Sequence, residues 1–431
     1  MKIDLLYGRE GLQFDLPDGI EPHLIEKPPF PPAAAPKDQI ASALARPIGS
    51  APLADLARGK GSACILICDI TRPVPNHLFL RPMIETLMTA GIPATAITVL
   101  VATGLHRPNE GAELAELVGD PWVLETVAVE NHFALRDADH VQLGTTSGRG
   151  VPVGIDRRFV EAELKIATGL VEPHFMAGYS GGRKVVAPGV AHHETIRTFH
   201  SARFMEDPAA RECNLDANPL HEEQLEIVRM LGDVYALNTV IDDKRNLVFA
   251  SFGEIIESHL AAVDFVRGYT EIGIGRRFHT VVTSAAGYPL DQTYYQTVKG
   301  MVTPLDILEP GGTLIIASHC GEGIGSDHFR AAQERLVALG PEAFLETLRP
   351  KQFADVDEWQ TEMQLKPMRR GQIQLYAPHL SDADFRVTGV ERAHDLTAAI
   401  AEAAARHGDP HVAIIPEGPY VVPRAAAPAA A

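Results

Sequence analysis

From Ser62 onward, short continuously apolar runs alternate with longer stretches of helical periodicity, and this alternation constrains the fold more than any other feature of the chain. ACILICDI (63–70) is apolar at nearly every position, as a strand buried on both faces must be. HLFLRPMIETLMTAG (77–91) repeats its apolar residues three and four apart, the spacing of one helix face. TAITVLVA (95–102) is a second strand, followed by the loop TGLHRP and a helix over 112–118. Further strands are expected at LETVAVEN (124–131), ELKIATGL (163–170) and ALNTVID (236–242), with a helix at EIIESHLAAVDFVRG (254–268). Strands separated by helices imply a mostly parallel sheet covered on both faces.

The pattern restarts beyond Gly275. HTVVTSAAG (279–287), GTLIIASHC (312–320), QIQLYAP (372–378) and HVAIIPEG (411–418) read as strands. YYQTVKGMVTPLDIL (294–308), HFRAAQERLVALG (328–340) and LTAAIAEAAARHG (396–408) read as helices. The expected fold class is therefore α/β, with two domains: residues 1–270 and 271–420, the last strand returning to the first domain as one option. Each is a mostly parallel sheet flanked by helices, with the active site in the cleft between them. Before the alternation begins, KIDLLYG and GLQFDLP suggest a β-hairpin, KPPFPPAAAP (27–36) a proline-rich connector, and 40–44 a short helix. The low-complexity residues 421–431 read as a disordered tail.

Composition narrows the function. A length of 431 residues can bury more than one core, and a formal net charge of −18 disfavours nucleic acid or an anionic membrane surface as a partner. No apolar run approaches the ~20 residues of a membrane span, and the first residues carry no signal-peptide pattern, so the expected location is cytoplasmic. The four cysteines (Cys64, Cys68, Cys213 and Cys320) include no Cys-x-x-Cys and read as free thiols.

In a parallel α/β sheet, ligands sit beyond the carboxyl ends of the strands. Three loops there carry chemistry: Asp69-Ile70-Thr71-Arg72, Gly104-Leu105-His106 and Glu172-Pro173-His174. Any one alone reads as a structural Asp or His; three together favour a site. Ser180-Gly-Gly-Arg-Lys184 fits either an anion-holding nest or a tight turn with an exposed lysine, and lacks the spacing of a Walker loop. His200 falls on a helical stretch, where a lone histidine is ordinarily solvated or packed. Gln296 and Lys299, three apart on one helix face behind Tyr294 and Tyr295, suit a carboxylate, or form a solvated face. Trp359 either packs in a core or lids a pocket. Gly321, Gly323 and Gly325 imitate a dinucleotide turn with the wrong spacing and no following acid for a ribose. His192, His193, His221 and His379 have no sequence companion.

Taken in order, Asp-x-Thr-Arg-Pro (69–73), Thr-Gly-x-His-Arg around His106, Glu-Pro-His-Phe-x-Ala-Gly-x-Ser-Gly-Gly-Arg-Lys (172–184), His200, Tyr295-Gln296-x-x-Lys299 and Trp359 resemble the nickel-pincer-dependent lactate racemase family. The resemblance implies a racemase or epimerase that inverts C2 of a 2-hydroxy acid, from lactate to a sugar acid such as gluconate. It implies nickel held by pyridinium-3,5-bisthiocarboxylic acid mononucleotide, with His200 as the protein's metal ligand. Lys184 binds that cofactor, a covalent thioamide being one form of the link, and Asp69, Ile70, Thr71 and Arg72 contact it. His106 and His174 are the implied acid/base pair. Gln296, Lys299 and Arg72 hold the substrate carboxylate, and Tyr295 and Trp359 shape the pocket. Proteins of cofactor synthesis and nickel insertion are implied as transient partners.

The chemistry is consistent with those residue types. The hydrogen at C2 beside a carboxylate is a poor acid, so it leaves more easily as hydride while the hydroxyl loses its proton. No side chain accepts hydride, so a cofactor is required, and histidine suits the proton near pH 7. An NAD-type 2-hydroxy acid dehydrogenase, a zinc hydrolase and a non-catalytic nickel or nucleotide carrier are the competing readings.

Overall fold

In the computed structural model, the structure describes residues 1–31 and 35–426. They divide into two compact units, one made of residues 29–199 and 214–268, the other of 1–28, 200–213 and 269 onward.

The first unit is built on a six-stranded sheet in the order Leu247–Glu254, Tyr235–Ile241, Leu164–Leu170, Ala63–Cys68, Ile97–Ala102 and Ala128–Asn131. All neighbours are parallel except the first pair. The chain starts at Ala63–Cys68, builds outward to one side, then returns to build outward to the other. The order therefore reverses between Ala63–Cys68 and Leu164–Leu170, which is where open α/β sheets leave a crevice at their carboxyl ends. Both faces are apolar because helices cover both: Ile65, Ile67, Val99, Val101 and Ile166 pack with Phe79, Met83, Ile84 and Leu87 of the Asn76–Thr89 helix in one buried cluster. Each such side chain stabilises the fold by roughly 1.5–3 kcal/mol.

LETVAVEN departs from the expectation. Asp120 caps a short helix, Pro121–Thr126, by accepting from Trp122 N at 3.0 Å, and Pro121 suits its first position. The strand is left with Ala128–Asn131.

The second unit holds a six-stranded, wholly parallel sheet in the order Glu391–Arg392, Gly371–Tyr376, Leu308–Ala317, Phe278–Ser284, His411–Ile415 and Glu21–Leu24. Its order reverses beside Phe278–Ser284, the first strand of the carboxy-terminal run. The hairpin is present as Lys2–Leu5 paired antiparallel with Leu12–Asp15, and its Ile3 and Leu5 pack in this unit with Val282, Ile315, Leu396, Ile400 and Ile414. Residues 1–28 thus belong with the carboxy-terminal sheet, whereas periodicity had grouped them with the segment that follows in sequence. Glu21–Leu24 is an edge strand, mostly exposed, with none of the apolar character that marks a strand in sequence. The expected disordered tail begins as structure: Val422–Arg424 pairs in parallel with Glu271–Gly273, and Val422 is buried. Residues 427–431 of that tail, and 32–34 of the proline-rich connector, lie outside the described residues. All four cysteines are free.

Candidate active site

The three loops expected to carry chemistry all leave carboxyl ends of the first sheet. Asp69 follows Ala63–Cys68 directly, and its carboxylate is buried. It accepts from His106 Nδ1 at 2.6 Å, from Thr71 Oγ1 at 2.5 Å and from Thr71 N at 3.2 Å. Burial alone would push this carboxyl up; the His106 ring, Thr71 and Arg72 outweigh it and hold the group at about 2. Asp69 is therefore a fixed anion. It assigns the His106 proton to Nδ1 and leaves the Nε2 lone pair for chemistry, with the ring half exposed. The His106 loop is anchored by Gly104 N donating to Gly189 O at 2.9 Å.

His174 is held in the opposite sense. It lies on a two-residue strand, Pro173–His174, paired with Gly178–Tyr179, and its Nδ1 accepts from Ala177 N at 3.2 Å and Met176 N at 3.4 Å. A neutral ring so placed carries its proton on Nε2. The two histidines thus rest in complementary tautomers, one offering a lone pair and the other an N–H. Arg72 pairs with Glu172 at 3.3 Å, tying the first loop to the third.

The Ser180–Lys184 segment is a tight turn rather than an open anion nest. Gly182 N donates to Asn238 Oδ1 at 3.0 Å, Lys184 N to Gly181 O and Val185 N to Gly182 O, so most of its N–H groups are satisfied internally. Gly181 and Gly182 have φ of +76° and +47°, and a Cβ on Gly182 would lie 2.8 Å from His259 Cβ. What the turn presents is Lys184. Among the described residues none gives its Nζ a hydrogen bond or ion pair. Burial pulls its ammonium down to about 7, and the charges of Arg72 and Arg183 push the same way. Lys184 is thus free amine to a large extent near pH 7, unlike the fully charged clamp of a phosphate loop.

Beneath the turn Arg183 is 1% exposed. Its guanidinium donates to Tyr179 O, Ala177 O and His221 Nδ1 at 2.8 Å and lies 2.9 Å from His259 Nε2, with no carboxylate among these partners. Burial and the Arg183 charge keep His221 down at about 3, so it serves as a neutral acceptor, and hold His259 well below its usual range; His259 Nε2, also 2.8 Å from Ser180 O, bonds one or the other according to its tautomer. Sequence reasoning missed both. His221 and His259 lie 38 and 76 residues from Arg183, and no local pattern joins them.

The second unit carries the remaining expected residues. His200 sits one residue past the His193–Phe199 helix rather than on it, and is buried. Its ring lies 4.8 Å from that of Trp359, whose Nε1 donates to Tyr295 Oη at 3.2 Å. Trp359 opens the helix Glu358–Arg370, and the next residue, Gln360, donates to Tyr295 O at 2.6 Å. Tyr295, Gln296 and Lys299 lie on Tyr294–Val302, a helix capped by Thr293 just beyond the carboxyl end of Phe278–Ser284. The Gln296 side-chain oxygen is buried without a hydrogen-bond partner, as fits a group waiting for a ligand. The Gly321–Gly325 turn has a different use from the one it imitates: a Cβ on Gly325 would lie 2.9 Å from Tyr295 Cβ, so the turn is glycine-rich to let the backbone pass Tyr295.

Fold and site together define an α/β enzyme with a carboxylate-backed histidine, a second histidine and a lysine of depressed basicity in the loops of one mostly parallel sheet. The chain matches the family models of the lactate racemase N-terminal domain over residues 7–212 and of the lactate racemase C-terminal domain over 276–422. It is 35% identical over 329 residues to lactate racemase of Thermoanaerobacterium thermosaccharolyticum, covering 76% of each chain. It is 31% identical over 392 residues to lactate racemase of Lactiplantibacillus plantarum, covering 90% of each. The lactate racemase apoprotein structure from T. thermosaccharolyticum superimposes with a TM-score of 0.91 at 29% identity, over 98% of this chain and 100% of that one. A Thermotoga maritima protein shares the fold at a TM-score of 0.66 and 17% identity, over 92% and 99%. The chain belongs to the lactate racemase family, and it is an isomerase. Among the described residues no helix is long and apolar enough to cross a membrane.

Proposed function

We propose that the chain inverts C2 of a 2-hydroxy acid, lactate or a larger acid such as a sugar acid, by moving the C2 hydrogen as hydride while a histidine handles the hydroxyl proton. The observation that carries this reading is the Asp69–His106 pair. A buried anion fixes the ring and stabilises the imidazolium formed when Nε2 takes the hydroxyl proton.

Taken singly, several residues have the chemistry that a nickel-pincer nucleotide calls for. Lys184, with its ammonium pulled down to about 7 and no hydrogen-bond or ion-pair partner for Nζ among the described residues, is apt for a covalent or close contact with an acyl group of the cofactor. Asp69 and Arg72 act on the Lys184 charge, and with Ile70 and Thr71 they form the loop for further cofactor contacts. His200 is a buried imidazole that joins no group of three His, Cys, Asp or Glu ligands among the described residues, which fits a metal whose other donors belong to the cofactor. When bound, that group supplies a reversible acceptor for hydride, which no side chain can be.

The protein's own work is proton handling and orientation. His106 Nε2 takes the hydroxyl proton of one enantiomer. His174 in its resting tautomer is a donor at Nε2 and steadies a substrate oxygen; to take a proton there it must release Met176 N and Ala177 N and hold its proton on Nδ1 instead. Arg72, Gln296 and Lys299 are the groups for the substrate carboxylate, with Tyr295 and Trp359 as walls. Proteins that make the cofactor and insert nickel act on the chain before catalysis.

Cofactor-loaded protein incubated with C2-deuterated lactate and gluconate tests the reading. Inversion with deuterium retained at C2 is expected for at least one of them. No inversion of either acid, or washout of the label into solvent, refutes it.

A further inference from the structure

The four histidines without a sequence companion all find structural ones: His221 receives Arg183, His379 stacks on His319, and the other two meet a carboxylate. His192 and His193 meet Asp137 from the 3₁₀ turn Asp137–Asp139, and each residue offers a ligand atom within 4.8 Å of the other two. His192 Nε2 lies 3.0 Å from Asp137 Oδ1, and the two imidazoles are 4.2 Å apart at their centroids. His193 Nδ1 is buried with no hydrogen-bond partner. The backbone beneath is fixed: His192 N donates to Gly154 O at 2.8 Å and His193 N to Ala134 O at 3.0 Å.

We propose that Asp137, His192 and His193 form a binding site for a divalent transition ion of the zinc or nickel type. Two imidazoles and one carboxylate are a common ligand set for such ions, which prefer nitrogen with some oxygen. The fit is near. Two ligands at about 2.1 Å in a tetrahedral arrangement stand about 3.4 Å apart. Closing the trio from its present spread needs little more than an ångström of side-chain movement, and the Asp137 carboxylate, 87% exposed, is free to supply it by rotation. That exposure also leaves the remaining coordination positions to water. The buried, unpartnered His193 Nδ1 marks this trio out from a surface hydrogen bond, because an imidazole nitrogen without a partner is costly in a protein interior.

The site is separate from the one built around His106 and Lys184, and its residues have no role in the proposed reaction. An ion there joins the 133–139 loop to the start of the His193–Phe199 helix, the segment that leads into His200. Such a clip binds the folded arrangement and not the unfolded chain, so it raises the melting temperature of the protein.

Full-length protein stripped with chelator is titrated with Zn2+ by calorimetry and with Co2+ by visible absorption, alongside Asp137→Ala, His193→Ala and His200→Ala. One equivalent that survives His200→Ala and weakens at least roughly tenfold in Asp137→Ala and His193→Ala is expected. Asp137→Ala removes an exposed side chain, so it decides the matter even where His193→Ala folds poorly. Absence of stoichiometric binding to the wild-type chain, binding unchanged in Asp137→Ala, or loss of the equivalent only in His200→Ala overturns the proposal.

Discussion

Lys184 offers the sharpest quantitative test. An ordinary lysine, at 10.5, is free amine to only about 3 parts in 10,000 at pH 7. Lys184, at about 7, is about half free amine at the same pH, an advantage of more than a thousandfold in reactive form. Intrinsic nucleophilicity falls with basicity, however. A Brønsted slope of about 0.4–0.5, carried over from thiols, removes roughly 40-fold of that gain across the shift. The net expectation is acylation of Lys184 some tens of times faster than of an exposed lysine at pH 7, and slower than it at pH 11. Trace labelling of the cofactor-free protein with acetic anhydride across pH 5–11, read by peptide mass spectrometry with exposed Lys37 as internal standard, measures both limbs. The Lys184 curve should level off above about pH 8 while that of Lys37 keeps rising. Arg72→Met removes one of the charges that depress Lys184, so its midpoint should move upward. A Lys184 curve that rises in parallel with Lys37 through pH 10 would refute the reasoning, because neither burial nor the guanidinium charges would then be acting on the amine.

The remaining predictions follow from the same geometry. Because the Lys184 pKa is depressed on folding, the unfolded chain binds the extra proton between about pH 7 and 10.5, so the lysine costs stability in full below pH 7 and progressively less above it. Lys184→Met should raise the unfolding free energy of the apoprotein, read from urea titration at pH 6, by at most about 4–5 kcal/mol, with the gain vanishing toward pH 10.5. Asp69→Asn loses a charge-assisted hydrogen bond worth about 1.5–3 kcal/mol, so kcat/KM for the inverted acid should drop roughly 10- to 150-fold. The depressed Asp69 carboxyl contributes roughly 2 kcal/mol of stability that is present above about pH 4 and lost as pH falls toward 2; acid unfolding of Asp69→Asn should lack that component. Gly182→Ala places a Cβ against His259 at a left-handed φ and should destabilise the chain by about 1–3 kcal/mol in thermal melts.

Much of the site was legible because its residues stand where parallel strands end. Strands buried on both faces read as apolar runs, and the polar residues just after them are visible against that background. Asp69, His106 and His174 stand out in this way as candidates, and each follows the carboxyl end of a strand in the structure. What was hidden depends on contacts between distant segments. Nothing near Arg183 announces that two histidines flank its guanidinium, and Asp137 and His193 are unremarkable until the loop and helix start meet. Glu21–Leu24 has no strand signature because an edge strand buries little. The Ser180–Lys184 turn stayed ambiguous because its composition is the same whether its N–H groups face a ligand or, as here, Asn238 and its own carbonyls.

The pairing of Glu21–Leu24 with His411–Ile415 sets a timetable for the ribosome. Roughly 390 residues separate the two strands, so at about 5–20 residues per second the earlier strand waits on the order of 20–80 s for its partner. The unit assembled from residues 29–199 and 214–268 can finish in that interval, while Ile3 and Leu5 of the amino-terminal hairpin have no sheet to cover them. Any nascent or prematurely stopped chain that ends before Phe278 therefore leaves Ile3 and Leu5 uncovered, a display that chaperones and proteases can read as the mark of an unfinished product.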